Sequence, residues 1–174
     1  RATAYRPEHG AAYGSDEFSR GLAQIAQLVK ARVGLRGATI DFPGWDSHFF
    51  QGAQIGPMMR TLGAGLSAFA ADLGAALATT SVVVMSEFGR RVYENSSLGT
   101  DHGRGGVMFV LGGGTPGGMH CRWPGLEGAS LEGPGDVLVV HDYRDALAPV
   151  LARMGAVGAL ASAFPAFTPS PLPV

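Results

Sequence analysis

Three short segments of the sequence carry acidic and imidazole side chains that could bind a metal ion. These side chains are Asp46 and His48 in residues 44–48, Glu87 in residues 86–90, and Asp101 and His102 in residues 99–103. Carboxylate oxygens and imidazole nitrogens are ligands of divalent cations, and a bound cation is a common means of hydrolysing an ester. The sequence therefore predicts a divalent metal site formed by these five residues, with zinc as the first expectation and manganese or calcium as alternatives.

Asp46 and His48 are two residues apart in a segment without helical periodicity. Alternate residues of an extended segment face the same way, so both side chains could point at one ion. The alternative is an ordinary turn, in which Asp46 hydrogen-bonds the backbone and His48 is exposed. Asp101 and His102 lie between glycines, and a turn is the alternative there as well.

Glu87 follows the apolar run Val82-Val83-Val84-Met85. A carboxylate at the end of a buried strand is partly desolvated and requires a cation or an arginine partner. Arg90 or Arg104 could supply that partner as a structural salt bridge. Either arginine could instead bind an anionic group through two hydrogen bonds, and we expect both to be anion contacts.

The remaining sequence predicts one domain over residues 1–174, with helices and strands in alternation. A first helix is expected at 17–33, capped by Ser15 or Asp16, a second at 57–78, beginning at Pro57, and a third at 143–154, capped by Asp142. Strands are expected at 38–42, 81–85, 107–111 and 137–140. Residues 43–56 and 86–106 are expected to be loops, and the proline-rich residues 165–174 an extended tail.

These elements predict a mixed sheet with the metal site at one edge. A strand, a helix and a second strand favour a right-handed parallel crossover between 38–42 and 81–85. Glu87 follows strand 81–85 and His102 precedes strand 107–111, so one shared site requires these two strands to run antiparallel. The site would then lie at the carboxyl edge of the parallel strands, where ligands usually bind.

The composition excludes several classes of function. The 174 residues contain 13 basic and 14 acidic side chains, with a net charge of −1 and no Lys/Arg cluster, so nucleic-acid binding is not expected. Membrane insertion is not expected either, because the apolar stretch 62–78 is rich in Ala and Gly and contains Asp72. Cys121 is the only cysteine, which excludes an intrachain disulfide and a cysteine-based zinc site.

Two further motifs do not predict a site. Residues 112–117 fit the spacing G-x-G-x-x-G of dinucleotide-binding loops, but Pro116 and Gly118 oppose the helix that must begin there. Ser86 lacks the G-x-S-x-G context of a hydrolase nucleophile, and Cys121 has no neighbouring base. The sequence therefore offers metal ligands and anion contacts without a side chain to attack an ester.

The sequence resembles a bacterial family of unknown function, number fifteen-oh-one, within the alkaline phosphatase and sulfatase superfamily. The resemblance rests on residues 44–48, 83–90, 99–103 and 111–114 in that order, with 142–145 and 164–165 near the end. It implies a three-layer α/β/α sandwich whose mixed, mostly parallel sheet has one antiparallel strand. It also implies that Asp46 and His48 bind one metal and that His102 is a later histidine ligand.

The chain departs from the superfamily pattern in two respects. Glu87 and Phe88 stand where the superfamily usually has Asp-His, so one imidazole ligand is lost. Family members are about twice this long and carry a nucleophilic Ser or Thr near their start, so the resemblance implies the C-terminal half only. Members often carry a twin-arginine leader, which implies an exported or periplasmic location.

Together these features predict part of a metal-dependent hydrolase of phosphate or sulfate esters, acting on a small anionic ester and completed by an N-terminal half or a partner chain. One alternative is a non-catalytic binding or assembly protein, in which the same polar groups form a salt-bridged network. Another is a different class of hydrolase that uses a metal-bound water, which needs no side-chain nucleophile.

Overall fold

A computed structural model describes residues 5–170, 172 and 174. The described chain has mixed α/β content, as predicted, and divides into two compact units. The first unit contains the described residues up to Leu77 together with Ser97–Gly99, and the second contains Ala78–Ser96 and Thr100–Val174. We call them the helical unit and the strand unit. That one domain spans 1–174 stays a prediction.

The first helix of the helical unit, α1, is Glu17–Lys30. Asp16 is its N-cap, as predicted: the Asp16 carboxylate accepts a hydrogen bond from the Ser19 N–H at 2.9 Å and so satisfies a free donor of the first turn. The helix ends three residues before the predicted end, because Arg32 has a φ of 51° and leaves the helical region.

The second helix, α2, is Gln51–Leu73, and a 3₁₀ helix at Gly74–Thr79 follows it. It begins six residues before the predicted start, so Pro57 lies inside the helix and not at its first position. Proline has no N–H, and Pro57 therefore cannot donate to the Ala53 carbonyl. By length and composition the segment Gln51–Thr79 could cross a membrane, a property that core helices share.

The two helices pack closely where α2 has a glycine. A Cβ at Gly65 would lie 2.7 Å from the Phe18 ring and 3.1 Å from the Leu22 side chain, both on α1. Phe18 and Leu22 are buried, and so is Phe69 on α2. The core of the helical unit is therefore a helix–helix contact that Gly65 permits.

A buried carboxylate joins the N-terminal arm, which we define as residues 5–14, to both helices. Asp72 on α2 has no solvent exposure, and its oxygens accept hydrogen bonds from Tyr5 Oη at 2.6 Å, Tyr13 Oη at 2.9 Å, the Glu8 N–H at 2.7 Å and Lys30 Nζ at 2.6 Å. Four donors replace the water that the carboxylate loses on burial. The arm, α1 and α2 are thus held together at one side chain.

The described part of the strand unit contains six short strands. They are β1 (Ser81–Val84), β2 (Gly89–Glu94), β3 (Thr100–Gly103), β4 (Phe109–Gly112), β5 (Leu131–Glu132) and β6 (Asp136–Val137). β1 pairs with β4, while the other four form a sheet in the order β3-β2-β6-β5. Every pairing among the described residues is antiparallel.

The strands confirm one topological prediction and correct three others. β1 and β4 run antiparallel, with Val83 opposite Val110, as predicted on the assumption that Glu87 and His102 share one site. Residues 38–42 form no strand, so the predicted parallel crossover to 81–85 is wrong. The segment predicted as a loop, 86–106, contains the hairpin β2–β3. The strand expected at 137–140 is only Asp136–Val137.

Residues 38–42 pack on α1 without joining a sheet. Phe42 stacks on Phe18 with ring centroids 4.7 Å apart, and Ile40 lies against Gly21, where a Cβ would be 3.2 Å from the Ile40 side chain. Ile40 and Phe42 are alternate residues, which gives the period of a strand. In this structure the apolar side chains of residues 38–42 pack on α1 and not on a neighbouring strand.

The C-terminal helices of the strand unit are α3 (Tyr143–Arg153) and α4 (Leu160–Ala163). Asp142 caps α3, as predicted, and accepts from the Arg144 N–H at 2.9 Å and from its guanidinium. Those bonds lower the pKa of the Asp142 carboxyl to about 2. The tail lies on α3, because the Ser170 N–H donates to the Asp145 carboxylate and the Leu172 N–H to the Asp145 carbonyl.

Candidate metal centre

Asp46 and His48 lie in the loop that leads from α1 to α2. The loop is fixed on its N-terminal side by aromatic contacts, since Trp45 meets Phe42 edge-to-face at 5.6 Å and Phe42 stacks on Phe18 of α1. Ser47, between the two candidate ligands, is buried. The backbone of the loop is therefore anchored while Asp46 and His48 face outward.

The two side chains point to the same side, as their spacing predicts. The distance from Asp46 Oδ1 to His48 Nε2 is 3.1 Å, and the two side chains are 63% and 35% exposed. Two ligand atoms bonded to one zinc ion at about 2.0–2.2 Å lie roughly 3.0–3.4 Å apart at tetrahedral or octahedral angles. The pair therefore has the separation that a shared cation requires, and a charge-assisted hydrogen bond satisfies it as well.

A second segment of the helical unit holds the backbone beyond His48. The Phe50 N–H donates to the Ser97 carbonyl and the Gln51 N–H to the Leu98 carbonyl, both at 3.0 Å. Gly99 lies against His48: a Cβ there would be 2.3 Å from the His48 carbonyl oxygen. Only a glycine permits this approach, so the Gly99-Thr100-Asp101-His102-Gly103 segment begins directly beside a candidate ligand.

Asp101 and His102 belong to the hairpin β2–β3 in the strand unit. Gly89 pairs with Gly103 and Arg90 with His102. A Cβ at Gly89 would lie 1.9 Å from the Gly105 carbonyl oxygen, and one at Gly103 would lie 2.7 Å from the Arg90 carbonyl carbon. These glycines bring the backbones closer than any other residue would allow, and they set the position of His102.

The His102 ring is oriented by its neighbours. It stacks on Phe88 with ring centroids 3.9 Å apart and an interplanar angle of 15°. Arg90, its cross-strand partner, lies over the same Phe88 ring at 5.1 Å and donates to the Thr100 carbonyl at 2.5 Å. Directly opposite residues share a face of a hairpin, so the imidazole of His102 and the guanidinium of Arg90 lie on one face.

Asp101 lies on the other face of the hairpin. Successive side chains of a strand alternate, and the Asp101 carboxylate accepts from Arg91 Nη1 at 3.3 Å and from Asn95 Nδ2 at 3.2 Å. Arg91 also forms an ion pair with Asp136 of β6, Nε to Oδ1, at 3.4 Å. The structure does not bring Asp101 and His102 to one face, and the contacts of Asp101 within the strand unit are structural.

Glu87 and Arg104 also differ from expectation. Glu87 is exposed and not partly desolvated, because β1 ends at Val84 and the three following residues have left the strand. Among the described residues no hydrogen bond or ion pair of the Glu87 side chain is present. Arg104 Nη1 pairs with Glu132 Oε2 at 2.7 Å, so its guanidinium already has an anionic partner.

The other histidines of the described chain have separate positions. His120 Nε2 lies 2.9 Å from the Pro116 carbonyl oxygen, and His141 is exposed just before α3. His9 lies in the N-terminal arm beside Glu8, with 4.0 Å between His9 Nε2 and the Glu8 carboxylate. None of the three is near Asp46 in sequence or within its loop.

Sequence reasoning missed the residues that orient the candidate ligands. At the level of sequence Phe88 has no role beyond the imidazole it lacks, Arg91 has none, and Gly99 counts only as a turn glycine of residues 99–103. Phe88 precedes β2 and is outside the paired register, so its stacking on His102 could not be predicted from the sequence. Glycine indicates that a close backbone approach is possible, but a single sequence does not say which segments lie opposite Gly89 and Gly99.

Comparison with known proteins identifies a family. The chain belongs to the family described as "Protein of unknown function (DUF1501)", whose model matches residues 3–155. This confirms the family that the resemblance predicted. No curated protein and no solved structure matches the chain.

Proposed function

We propose that this chain carries the metal-binding part of a hydrolase that acts on phosphate or sulfate esters, with Asp46, His48 and His102 as the metal ligands. The observation that carries the proposal is the 3.1 Å separation of Asp46 Oδ1 and His48 Nε2 on an anchored loop. Two imidazoles and one carboxylate match the donor set of catalytic zinc sites, which keep a further position open.

Chain connectivity supports the inclusion of His102. Gly99 packs against the His48 carbonyl, and three peptide units separate it from His102. A chain advances at most about 3.3–3.6 Å per residue, so the Cα atoms of Gly99 and His102 are within about 11 Å of each other. His102 is therefore close enough to Gly99 along the chain to be proposed as the third ligand.

In this proposal the metal ion would act by stabilising negative charge on the ester. A bound zinc ion would polarise an anionic ester and stabilise the charge that develops during hydrolysis. Asp46 and His48 would hold the ion, and the stacked Phe88 would fix the orientation of the His102 ring. Arg90, on the same face of the hairpin as His102, would hydrogen-bond a phosphate or sulfate oxygen.

The proposed ligand set is smaller than the set predicted from the sequence. Glu87 and Asp101, which the sequence predicted as ligands, are not part of the proposed ligand set, and Arg104 could contact an anion only after leaving Glu132. We further propose that the parent protein completes an alkaline-phosphatase-like α/β/α sandwich with an N-terminal half or partner chain, and that it is exported. Manganese or calcium could replace zinc if the carboxylates dominate.

Zinc binding to the purified chain tests this function. We expect one equivalent by elemental analysis after gel filtration, with affinity lost at least tenfold in His48→Ala and in His102→Ala. His120→Ala is the matched control and retains the full equivalent, because His120 lies outside the ligand set. One equivalent that survives both of the first two substitutions contradicts the proposal.

A non-catalytic binding or assembly protein is the second candidate function. The observation that favours it is the pairing of charged groups in the strand unit, where Arg91 joins Asp101 and Asp136 and Arg104 joins Glu132. Such networks stabilise a hairpin without any metal. A purified chain that binds no zinc, manganese or calcium, and folds equally well without them, favours this second function.

A further inference from the structure

We propose that Arg91 is a positioning residue for the metal ligand His102 and that it acts through the carboxylate of Asp101. Arg91 lies in β2, and Asp101 and His102 lie in β3, so all three belong to one hairpin of the strand unit. This inference rests on the proposed function, because the orientation of His102 matters only if its imidazole binds the ion. It also gives a role to Asp101, which the sequence predicted as a ligand.

The pairing of β2 with β3 is irregular beside His102. After the pair Arg90–His102 the register shifts before the next pair, and residues 91–93 of β2 lie opposite the single residue Asp101. Such a bulge disrupts the backbone ladder, and bulges beside functional sites change the direction of a side chain. Regular ladder pairing therefore does not set the position of Asp101, and side-chain contacts can do so.

The Asp101 carboxylate bridges this bulge. Its Oδ2 accepts a hydrogen bond from Arg91 Nη1 at 3.3 Å, and its Oδ1 accepts one from Asn95 Nδ2 at 3.2 Å. Because the two oxygens are held by different donors, the carboxylate can neither slide along β2 nor rotate without losing a bond. The side chains of Arg91 and Asp101 are 36% and 49% exposed, and exposed ion pairs add little stability. The pair therefore contributes mainly geometry.

Arg91 is itself anchored on the opposite side of β2. It pairs in register with Asp136 of β6, and its Nε lies 3.4 Å from the Asp136 carboxylate, whose side chain is only 14% exposed. The next residue, Val92, donates its N–H to the Gly135 carbonyl at 2.9 Å. The Arg91 guanidinium thus joins three neighbouring strands, β3, β2 and β6, and it ties Asp101 to the sheet.

The position of Asp101 determines that of His102, because the two residues share a peptide group. Stacking on Phe88, with ring centroids 3.9 Å apart, sets the plane of the His102 imidazole. The direction of the ring nitrogens within that plane depends on where β3 places the His102 Cα. Removing a partner that orients a metal ligand reduces metal affinity by about 10–100-fold, although the partner does not touch the metal.

Nuclear Overhauser effects between the ring protons of His102 and Phe88 test the positioning in the metal-free chain. Wild type should show them, and Arg91→Ala and Asp101→Ala should lose most of their intensity, because β3 is then released at the bulge. Asp101→Asn keeps an oxygen that can accept from Arg91, so it should retain more intensity than Asp101→Ala.

The matched control is Glu132→Ala. It removes the carboxylate of the Arg104–Glu132 ion pair, which belongs to the same unit but does not contact Asp101. We expect this variant to keep the wild-type ring contacts, since a general weakening of the strand unit does not rotate the His102 ring. Equal loss of the ring contacts in Glu132→Ala and Arg91→Ala overturns the inference.

Zinc affinity measures the consequence for the metal. We expect Arg91→Ala and Asp101→Ala each to weaken zinc binding by about tenfold, with Glu132→Ala unchanged. The double variant should be no weaker than either single variant, because both substitutions break one contact. If Asp101→Ala loses zinc while Arg91→Ala binds it as wild type does, Asp101 is itself a ligand and the inference is wrong.

The outcomes separate this inference from the proposed function. In a wild-type chain that binds zinc, unchanged ring contacts or unchanged zinc affinity in Arg91→Ala overturns the role of Arg91 and leaves the proposed function standing. A wild-type chain that binds no zinc overturns the proposed function and this inference with it.

Discussion

Asp72 shows how one residue can join three parts of the helical unit. Burial alone raises the pKa of a carboxyl, but hydrogen bonds from Lys30, Tyr5, Glu8 and Tyr13 outweigh it and hold the pKa of Asp72 below its usual value. Burial of its side chain raises the pKa of Tyr13, and its hydrogen bond to the Asp72 carboxylate raises it further. A charged Asp72 is therefore part of the folded state.

Replacing Asp72 should reveal this contribution. Asp72→Asn leaves Lys30 without its buried partner, and we expect the free energy of unfolding at pH 7 to fall by about 3–5 kcal/mol. Because the folded pKa is depressed, the stabilisation is present above about pH 4 and is lost as the pH falls through the folded value. Urea denaturation between pH 7 and pH 2.5 measures both effects.

The slope of stability against pH in the acid range distinguishes Asp72 from an exposed carboxylate. Wild type should lose up to about 1.4 kcal/mol per pH unit from this group in the acid range, and Asp72→Asn should lack that slope. Asp41→Asn removes an exposed carboxylate of the same unit and should change neither quantity. An acid slope that is equal in wild type and Asp72→Asn contradicts a lowered pKa for Asp72.

At the scale of elements, the contact of α1 with α2 depends on Gly65. A methyl group at this position would meet the Phe18 ring at 2.7 Å and the Leu22 side chain at 3.1 Å, so the helices must separate. We expect Gly65→Ala to reduce stability by about 1–3 kcal/mol, the usual cost of overpacking. Thermal unfolding followed by circular dichroism measures it.

Gly63 supplies a matched control two residues away on α2. A Cβ there meets nothing within 4 Å, so Gly63→Ala should raise stability by up to about 1 kcal/mol through helix propensity alone. Opposite signs for the two substitutions are the expected result. Equal effects, of either sign, would show that α1 does not pack on α2 at Gly65.

The sequence predicted the elements that have local signals. Asp16 and Asp142 are caps because their carboxylates accept the first free N–H groups, and those helix starts are correct. The antiparallel pair β1–β4 is also correct, although it was predicted on the assumption, not shown by the structure, that Glu87 and His102 share one site. The α2 start was wrong, because bonds to residues 97–98 order the turn before Pro57.

Contacts between distant residues explain what the sequence could not predict. Residues 38–42 have strand periodicity, but Phe42 stacks on Phe18 and the segment packs on a helix. The polar segment 86–106 has little strand signal, and its hairpin depends on close approach at Gly89 and Gly103. The same limit applies to the site: the spacing of Asp46 and His48 predicted a pair, while Phe88 and Arg91 became visible only in the fold.

At the scale of the whole molecule, the proposed ligands come from both units of the chain. Asp46 and His48 belong to the helical unit and His102 to the strand unit, with residues 97–99 as the covalent link that packs beside His48. An ion that binds only the folded chain stabilises the folded state.

X-ray absorption at the zinc edge tests the central claim most directly, since it counts the imidazoles around the ion. The account predicts two imidazole nitrogens and carboxylate oxygen at about 2.0–2.2 Å in wild type. It predicts one imidazole in His48→Ala and one in His102→Ala, with His120→Ala unchanged. A zinc ion with sulfur from Cys121 at about 2.3 Å, or with two imidazoles that persist in His102→Ala, would contradict it.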